Sequence, residues 1–126
     1  MTLILDAGAL LALERNDASV WERFASARLA GFPPVTHGGV VGQVWRASGP
    51  RQARLATALA GTEILPLDDE LGRQAGRLLG RSGTCDVIDA ALVLLAEDGD
   101  EIITSDLSDL AALVSHFKIG VELIRA

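Results

Sequence analysis

Residues 3–10 read LILDAGAL and place a carboxylate directly after three apolar residues. A short apolar run that ends at a charge is typical of a buried strand. The residues that follow, from 9 to 14, have the apolar spacing of a helix. Asp6 is therefore predicted to lie at the junction between the end of a strand and the start of a helix.

The rest of the chain repeats this alternation of strand and helix. Short apolar runs predict four further strands, around residues 34–36 and at 63–65, 101–104 and 121–124. Apolar residues spaced three and four apart predict helices over residues 9–14, 18–30, 39–47, 51–60, 69–79, 87–98 and 107–116. Strands separated by helices pair in parallel, because a parallel crossover needs a dozen or more residues. We therefore expect an α/β fold, a three-layer α/β/α sandwich with a central parallel sheet.

Length and composition narrow the class of protein. A chain of 126 residues, 49% hydrophobic and 22% charged, predicts a single domain spanning residues 1–126 with a well-packed core. The net charge of -6 argues against a broad basic surface that holds nucleic acid through its phosphates. The one cysteine, Cys85, cannot form an internal disulfide and favours a reducing compartment, so we expect a cytoplasmic protein. Asp6 and the prolines of the longest uncharged segment, residues 29–45, argue against a signal peptide or a membrane span.

Acidic residues recur where the predicted strands end and the helices begin. Asp6 ends the first strand, and Asp106 follows the fourth. Asp86 and Asp89 open the apolar helix at residue 87, three residues apart, so both lie on one face of its first turn. Asp109 repeats that spacing from Asp106. In an open parallel sheet the ligand crevice lies beyond the carboxyl ends of the strands, so these acids are candidates for a binding site.

Helix capping is the alternative explanation for each acid. Aspartate is a preferred N-cap residue, and a carboxylate in the first turn stabilises a helix by roughly 0.3–1 kcal/mol. Capping does not require aspartate at several helix starts on one sheet edge, since Ser, Thr or Asn would serve. Two carboxylates about 4 Å apart repel by about 4 kcal/mol at an effective dielectric constant of about 20, so a converging set needs a cation or raised pKa values. Mg²⁺ or Mn²⁺, which prefer oxygen ligands, are the expected cofactors.

Taken together, the motifs resemble the PIN-domain ribonucleases, and among these the VapC-like toxins of type II toxin–antitoxin systems. The resemblance covers the whole chain and rests on LILDAGALLAL, VVGQVWR, DVIDAALVLLA and TSDLSDL, in that order. It implies a PIN-like fold and a metal-dependent endoribonuclease that hydrolyses RNA phosphodiester bonds. It further implies a homodimer and a VapB-like antitoxin as the neutralising partner.

The resemblance also implies which residues form the site. Asp6, Asp106 and the acid at the start of the central helix would bind Mg²⁺ or Mn²⁺ and act as the catalytic residues. Asp86 and Asp89 both fit the central position, and both are kept as candidates. Apart from the resemblance, the hydroxyls of Thr104 and Ser105 can hydrogen-bond a carboxylate or the substrate phosphate, and a turn with a capping hydroxyl is their alternative role. The residues expected to support the site are Gln43, Thr104, Ser105 and Asp109.

Gln43 departs from the family pattern, which commonly has a glutamate at this position. Its amide carries no negative charge, so it is expected to weaken metal binding, although it can still form hydrogen bonds. Three arginines nearby, Arg46, Arg51 and Arg54, are candidates for contact with the RNA backbone. A solvated helix face with intrahelical ion pairs is their alternative role.

Metal-assisted hydrolysis requires no side-chain nucleophile, which agrees with the absence of any nucleophile motif. His37 and His116 belong to no recognisable triad, and His116 is predicted to lie at a helix end. A phosphoacceptor domain of receiver type is one rival function, but it needs an aspartate at the end of a middle strand, where residues 64–67 read ILPL. A non-catalytic PIN-like binding module with a weakened metal site is the second rival.

Overall fold

The computed structural model describes residues 1–117 and 120–126. Within them the chain forms five strands, β1 Leu3–Leu5, β2 Val35–His37, β3 Glu63–Leu65, β4 Glu101–Thr104 and β5 Glu122–Arg125. The seven helices are α1 Ala7–Glu14, α2 Ala18–Leu29, α3 Gly38–Val44, α4 Arg51–Ala60, α5 Asp69–Ser82, α6 Val87–Leu94 and α7 Leu107–Ser115. Every predicted strand and helix is present, so the alternation read from the sequence is confirmed.

The element boundaries differ from the prediction by two residues or more at four helices. The first helix begins two residues earlier, at Ala7, because the Asp6 side chain caps it there. The third helix ends at Val44 instead of residue 47, since Trp45 has an extended backbone and Ala47 a positive φ of 60°. The fifth helix ends at Ser82 instead of residue 79, where Gly83 adopts a left-handed backbone conformation. The sixth helix ends at Leu94, four residues before the predicted end.

The strand order in the sheet is β3-β2-β1-β4-β5, and every neighbouring pair is parallel. The chain builds one half of the sheet outward from β1 through β2 to β3, then crosses to the other side of β1 for β4 and β5. This reversal makes the junction of β1 and β4 a topological switch point, where open α/β sheets bind their ligands. The strand β3 lies at the edge of the sheet. A phosphoacceptor domain of receiver type instead needs an aspartate at the end of a middle strand.

Helices cover both faces of the sheet. The helices α2, α3 and α4 pack with α1, whereas α5, α6 and α7 pack with one another. Right-handed crossovers place these two groups on opposite faces, because the chain moves in opposite directions along the sheet in its two halves. The predicted three-layer α/β/α sandwich is confirmed. No helix in the described residues is long and apolar enough to cross a membrane.

The centre of the sheet is buried on both faces, as expected when helices cover a parallel sheet. All three residues of β1 are buried, and so are Ile102 and Ile103 of β4, which pair with Ile4 and Leu5. This pairing sets the register of β1 against β4, so the two strands end at the same level of the sheet. The residues that follow β1 and β4 therefore emerge side by side at one edge.

Candidate functional site

Asp6 lies where β1 ends at the switch point. Its N–H donates to the Ile103 carbonyl (3.3 Å), which ties it to β4, and its side-chain Oδ1 accepts from the Ala9 N–H (2.8 Å), which caps α1. Only 6% of the residue is exposed. Burial raises the pKa of this carboxyl, although hydrogen bonding from the Thr104 hydroxyl and from backbone N–H groups opposes the rise. Asp6 is thus a buried acid held in a fixed orientation.

Thr104 connects the ends of β1 and β4. Its buried hydroxyl accepts a hydrogen bond from the Asp106 N–H (2.9 Å) and lowers the pKa of the Asp6 carboxyl. Asp106 in turn caps α7, because its Oδ1 accepts from the Asp109 N–H (3.3 Å). One threonine side chain therefore interacts with both acids that follow the central strands.

Gly8 allows the first turn of α1 to pack directly on the loop after β4. A Cβ atom at Gly8 would lie 2.5 Å from Ser105 Cβ and 2.9 Å from Ser105 N. Real Cβ atoms do not approach other atoms so closely, and the Ser105 backbone has little freedom to retreat because the neighbouring Thr104 is buried. The close approach of these two segments holds Asp6 beside Asp106.

Replacing Gly8 with alanine is expected to lower the free energy of unfolding by about 1–3 kcal/mol, because the added methyl group overpacks the contact with Ser105. Gly42→Ala is the matched control, since a Cβ there meets open space. That control is expected to gain roughly 0.5–1 kcal/mol from the higher helix propensity of alanine. Denaturant unfolding measures both changes, and a Gly8→Ala protein as stable as the wild type contradicts the packing argument.

The helix α6 brings two further acids to the same edge. Asp86 caps the helix, with its Oδ1 accepting from the Asp89 N–H (3.0 Å), and is exposed. Asp89 lies half-buried in the first turn. Its pKa is raised to about 7, first by burial and then by the charges of Asp86, Asp6, Asp106 and Asp109. Asp89 therefore faces acids from three separate helix starts.

Asp109 completes the group. Its pKa is raised by the hydrogen bond and the charge of Asp106, by a small burial effect and by the charge of Asp86. We refer to Asp6, Asp86, Asp89, Asp106 and Asp109 as the acid cluster. Sequence reasoning singled out all five members, and the structure brings them together at the carboxyl end of β1 and β4.

Arginine does not neutralise the acid cluster within residues 1–117 and 120–126. The ion pairs found there join Arg15 to Asp17, Arg23 to Glu101, and Arg73 to Asp69. The N-termini of α1, α6 and α7 supply partial positive charges, but these offset only part of the repulsion between carboxylates. This unbalanced charge adds to the effect of burial in raising the pKa of Asp89.

The donor set of the acid cluster fits a hard divalent cation, which takes carboxylate oxygens as ligands. The capping hydrogen bonds of Asp6, Asp86 and Asp106 each use Oδ1, so the caps do not engage the second oxygen, which can serve as a metal ligand. As the side chains lie, no three acidic, histidine or cysteine groups in the described part of the chain surround one point closely enough to hold an ion. The cluster therefore has suitable ligand chemistry without a preformed coordination shell.

Gln43 and the candidate arginines lie on a different set of elements. Gln43 is exposed on α3 and lines a groove of about 570 Å³ together with Arg46 and Arg51. The Arg46 guanidinium donates to the carbonyls of Gly42, Gln43 and Trp45 at the end of α3. Arg54 donates to the Glu14 carbonyl (2.9 Å). Arg46 and Arg54 thus bond to backbone carbonyls instead of forming the intrahelical ion pairs considered from the sequence.

The two histidines differ in their surroundings. His116 is exposed and follows the last residue of α7, as predicted. His37 is fully buried at the end of β2 and caps α3. Sequence reasoning missed this residue because the predicted second strand stopped at Thr36. A polar residue followed by two glycines at the end of an apolar strand was the available signal.

Comparison with solved structures supports the fold. The chain is similar to one from VapBC2 of Rickettsia felis, whose crystal structure contains a DNA fragment from the VapBC2 promoter. The TM-score is 0.71, and the match covers 98% of this chain and 98% of that chain at 12% sequence identity. No family model and no curated protein matches the sequence. At this level of identity the likeness concerns the fold, and it confirms the α/β architecture expected from the sequence.

Proposed function

We propose that this protein is a VapC-like, metal-dependent endoribonuclease. The observation that carries the proposal is the acid cluster at the switch point of the sheet, where Asp89 has a pKa of about 7 and arginine partners are absent from the described residues. Such a cluster is stabilised by binding a divalent cation. The likeness of the fold to a VapBC2 chain supports the same function.

Asp6, Asp89 and Asp106 would hold Mg²⁺ or Mn²⁺, with Asp86 as a further ligand. The bound ion would activate water and neutralise charge on the scissile phosphate. The remaining residues hold the ligands in position: the Ala9 N–H fixes one oxygen of Asp6, and the Asp109 N–H fixes one oxygen of Asp106. Both ligands are thereby oriented before an ion binds.

Thr104, Ser105 and Asp109 are proposed to support these ligands. The Thr104 hydroxyl interacts with the segments that carry Asp6 and Asp106. The exposed Ser105 provides a hydroxyl donor for a phosphate oxygen beside the cluster. The Asp109 N–H donates a hydrogen bond to the Asp106 carboxylate, and the Asp109 side chain would add negative charge near the ion.

RNA is proposed to run along the groove that contains Gln43, Arg46 and Arg51, with Arg54 on the adjoining helix α4. Positive side chains along a groove attract the phosphate backbone. This contribution is local, because the chain as a whole carries a net charge of -6. Local contacts between a small number of arginines and RNA phosphates are therefore expected to matter more than general electrostatic attraction.

A VapB-like antitoxin and a second copy of this chain are the proposed partners, with the cytoplasm as the proposed location. The naming of the structural neighbour as VapBC2 supports the antitoxin. An exposed acidic cluster also suits a partner that offers an arginine to it. Light scattering after size-exclusion chromatography tests the homodimer, since the chain mass is 13.2 kDa and a dimer has twice that mass.

The proposed function is tested by incubating a mixed RNA pool with purified protein, freed of any partner. Cleavage is expected with Mg²⁺ or Mn²⁺, is expected to stop when EDTA is added in excess, and is expected to return when the metal is restored. Cleavage that continues at the same rate in EDTA contradicts the metal-dependent mechanism. No cleavage by folded protein under any of these conditions contradicts the nuclease itself.

Restoring the usual glutamate with Gln43→Glu is expected to raise the cleavage rate at low Mg²⁺, because the added negative charge attracts the cation. We expect a gain on the order of threefold to tenfold, with a smaller gain at saturating Mg²⁺. Gln74→Glu is the control, since it adds the same charge on α5, outside the groove. Equal effects of the two substitutions would show that the gain comes from general charge and not from position 43.

A non-catalytic PIN-like binding module remains the second candidate. Two observations favour it, namely the neutral Gln43 and the lack of three pre-arranged ligands in the described residues. It predicts RNA or antitoxin binding that is unchanged by EDTA and by loss of Asp6. The same cleavage assay distinguishes the two candidates.

A further inference from the structure

His37 is a fully buried ionisable residue that the proposed chemistry does not use. Its relative exposure is 0%, and it ranks among the largest buried side chains of the core. Burial lowers the pKa of its imidazole, so the ring is neutral near pH 7. A buried neutral imidazole needs a hydrogen-bond partner for each ring nitrogen.

Both ring nitrogens have such a partner. The Gly39 N–H donates to Nδ1 (3.1 Å), so Nδ1 carries no proton. The proton therefore resides on Nε2, which donates to the Ile88 carbonyl (2.9 Å). A single side chain at the end of β2 thus links the start of α3 to the first turn of α6, 51 residues away in sequence.

The bond to Ile88 reaches the acid cluster through one peptide group. The carbonyl of Ile88 and the N–H of Asp89 belong to the same planar unit. His37 binds the oxygen of this unit, and the Asp86 Oδ1 binds its N–H (3.0 Å). Hydrogen bonds in such a chain polarise one another, so the imidazole strengthens the bond that orients Asp86.

Gly39 makes this linkage possible. A Cβ atom at Gly39 would lie 2.6 Å from Ile88 Cδ1 and 2.9 Å from His37 Cε1. A larger residue at position 39 would have to displace the Ile88 side chain and the buried His37 ring, so glycine lets α3 begin close to α6. The packing around His37 keeps the imidazole and the Ile88 carbonyl at hydrogen-bond distance.

We propose that His37 is a positioning residue, which holds the Ile88–Asp89 peptide unit and thereby orients the Asp86 and Asp89 carboxylates toward the rest of the acid cluster. The inference rests on the proposed function in so far as the oriented carboxylates are said to serve metal binding. The geometric part, that His37 fixes the first turn of α6, stands independently of any metal.

Two substitutions separate the two hydrogen bonds of the ring. In His37→Asn the side-chain oxygen replaces Nδ1 and caps Gly39, but no donor reaches Ile88. In His37→Gln the amide nitrogen replaces Nε2 and donates to Ile88, whereas the cap on Gly39 is lost. Both variants lose the ring, so the loss of packing is similar. They differ in the hydrogen bond that remains, which is the one to Gly39 in His37→Asn and the one to Ile88 in His37→Gln.

Amide hydrogen exchange in metal-free protein tests the geometric part. The N–H groups of Asp89 and Ala90 are expected to exchange at least about tenfold faster in His37→Asn than in the wild type, and at close to the wild-type rate in His37→Gln. Equal exchange rates in the two variants would overturn the inference, because the ring would then act through packing alone.

Mn²⁺ titration by calorimetry tests the link to the site. The Kd for Mn²⁺ is expected to increase on the order of tenfold in His37→Asn and to change less than about threefold in His37→Gln. If the wild-type protein binds Mn²⁺ and both variants bind it equally well, His37 has no role at the site. If the wild-type protein binds no Mn²⁺, the proposed function fails, and the exchange rates still decide whether His37 holds α6.

A measurement on the wild-type protein remains decisive if both variants fail to fold. The ¹⁵N chemical shifts of the His37 ring report which nitrogen carries the proton. An unprotonated Nδ1 and a protonated Nε2 are expected near pH 7. A charged ring would overturn the inference, because a protonated Nδ1 cannot accept from the Gly39 N–H. The opposite tautomer would also overturn it, because Nε2 without a proton cannot donate to the Ile88 carbonyl.

Discussion

Asp6→Asn is expected to abolish metal-dependent RNA cleavage with little change in stability. Asparagine retains the oxygen that accepts from the Ala9 N–H, so the cap on α1 is preserved. The substitution removes an ionisable carboxyl from a buried position in the acid cluster. Losing one carboxylate beside a divalent ion costs on the order of 3 kcal/mol, which corresponds to a rate loss of roughly 100-fold or more.

Asp68→Asn is the matched control for this substitution. Asp68 caps α5 in the same manner, with its Oδ1 accepting from the Leu71 N–H (2.9 Å), but it lies outside the acid cluster. The rate of RNA cleavage by this control is expected to equal that of the wild type. A rate loss of similar size in both variants would attribute the effect to capping, and full activity in Asp6→Asn would remove Asp6 from the proposed site.

Asp89→Asn is expected to change how stability depends on pH and metal. The pKa of Asp89 is raised in the folded protein from 3.8 to about 7, so the folded state binds a proton that the unfolded state releases. The free energy of unfolding therefore falls as the pH rises from about 4 to about 7, and stays low above that range. Ionisation of Asp89 lowers the free energy of unfolding by on the order of 2–4 kcal/mol, a value that solvent and coupling to the other acids reduce.

The Asp89→Asn variant avoids this loss of stability, because asparagine carries no charge. In EDTA near pH 8 it is expected to unfold at a higher denaturant concentration than the wild type, whereas near pH 4 the two are expected to be similar. His37 acts in the opposite direction: its lowered pKa makes the protein less stable as the pH falls below about 6.5. The pH profile of Asp89→Asn should therefore retain the decline toward acid that His37 causes.

Metal addition provides the second measurement on Asp89→Asn. Mg²⁺ at about 100 times its Kd should stabilise the wild-type protein near pH 8 by about 2.7 kcal/mol, and should stabilise Asp89→Asn much less. Asp69→Asn is the control, because Asp69 lies in the first turn of α5 and pairs with Arg73. Equal stabilisation of all three proteins by Mg²⁺ would contradict a specific site at Asp89.

Much of the local structure was predictable from the sequence because it depends on near neighbours. The apolar runs predicted all five strands, and the helix periodicity predicted all seven helices. The capping roles of Asp6, Asp86 and Asp106 follow from the three-residue spacing to the N–H that each side chain accepts. These features require only local backbone geometry and short-range hydrogen bonds.

The choice between Asp86 and Asp89 was open at the level of sequence. Both fit the start of the central helix, and their spacing places them on one face. In the structure Asp86 is exposed and uses one oxygen for the cap, whereas Asp89 is half-buried and faces the charges of four other acids. Burial and long-range charge distinguish the two residues, and neither quantity can be read from spacing.

The sequence by itself determined the order of strands and helices and the placement of an acid at the end of each central strand. The tertiary structure alone decided that β4 pairs with β1, so that Asp106 meets Asp6, and that Gly8 packs on Ser105. It alone decided that His37 reaches Ile88. The physical reason is that strand order and side-chain contact depend on how distant segments share one core, whereas element formation and capping depend on a few consecutive residues.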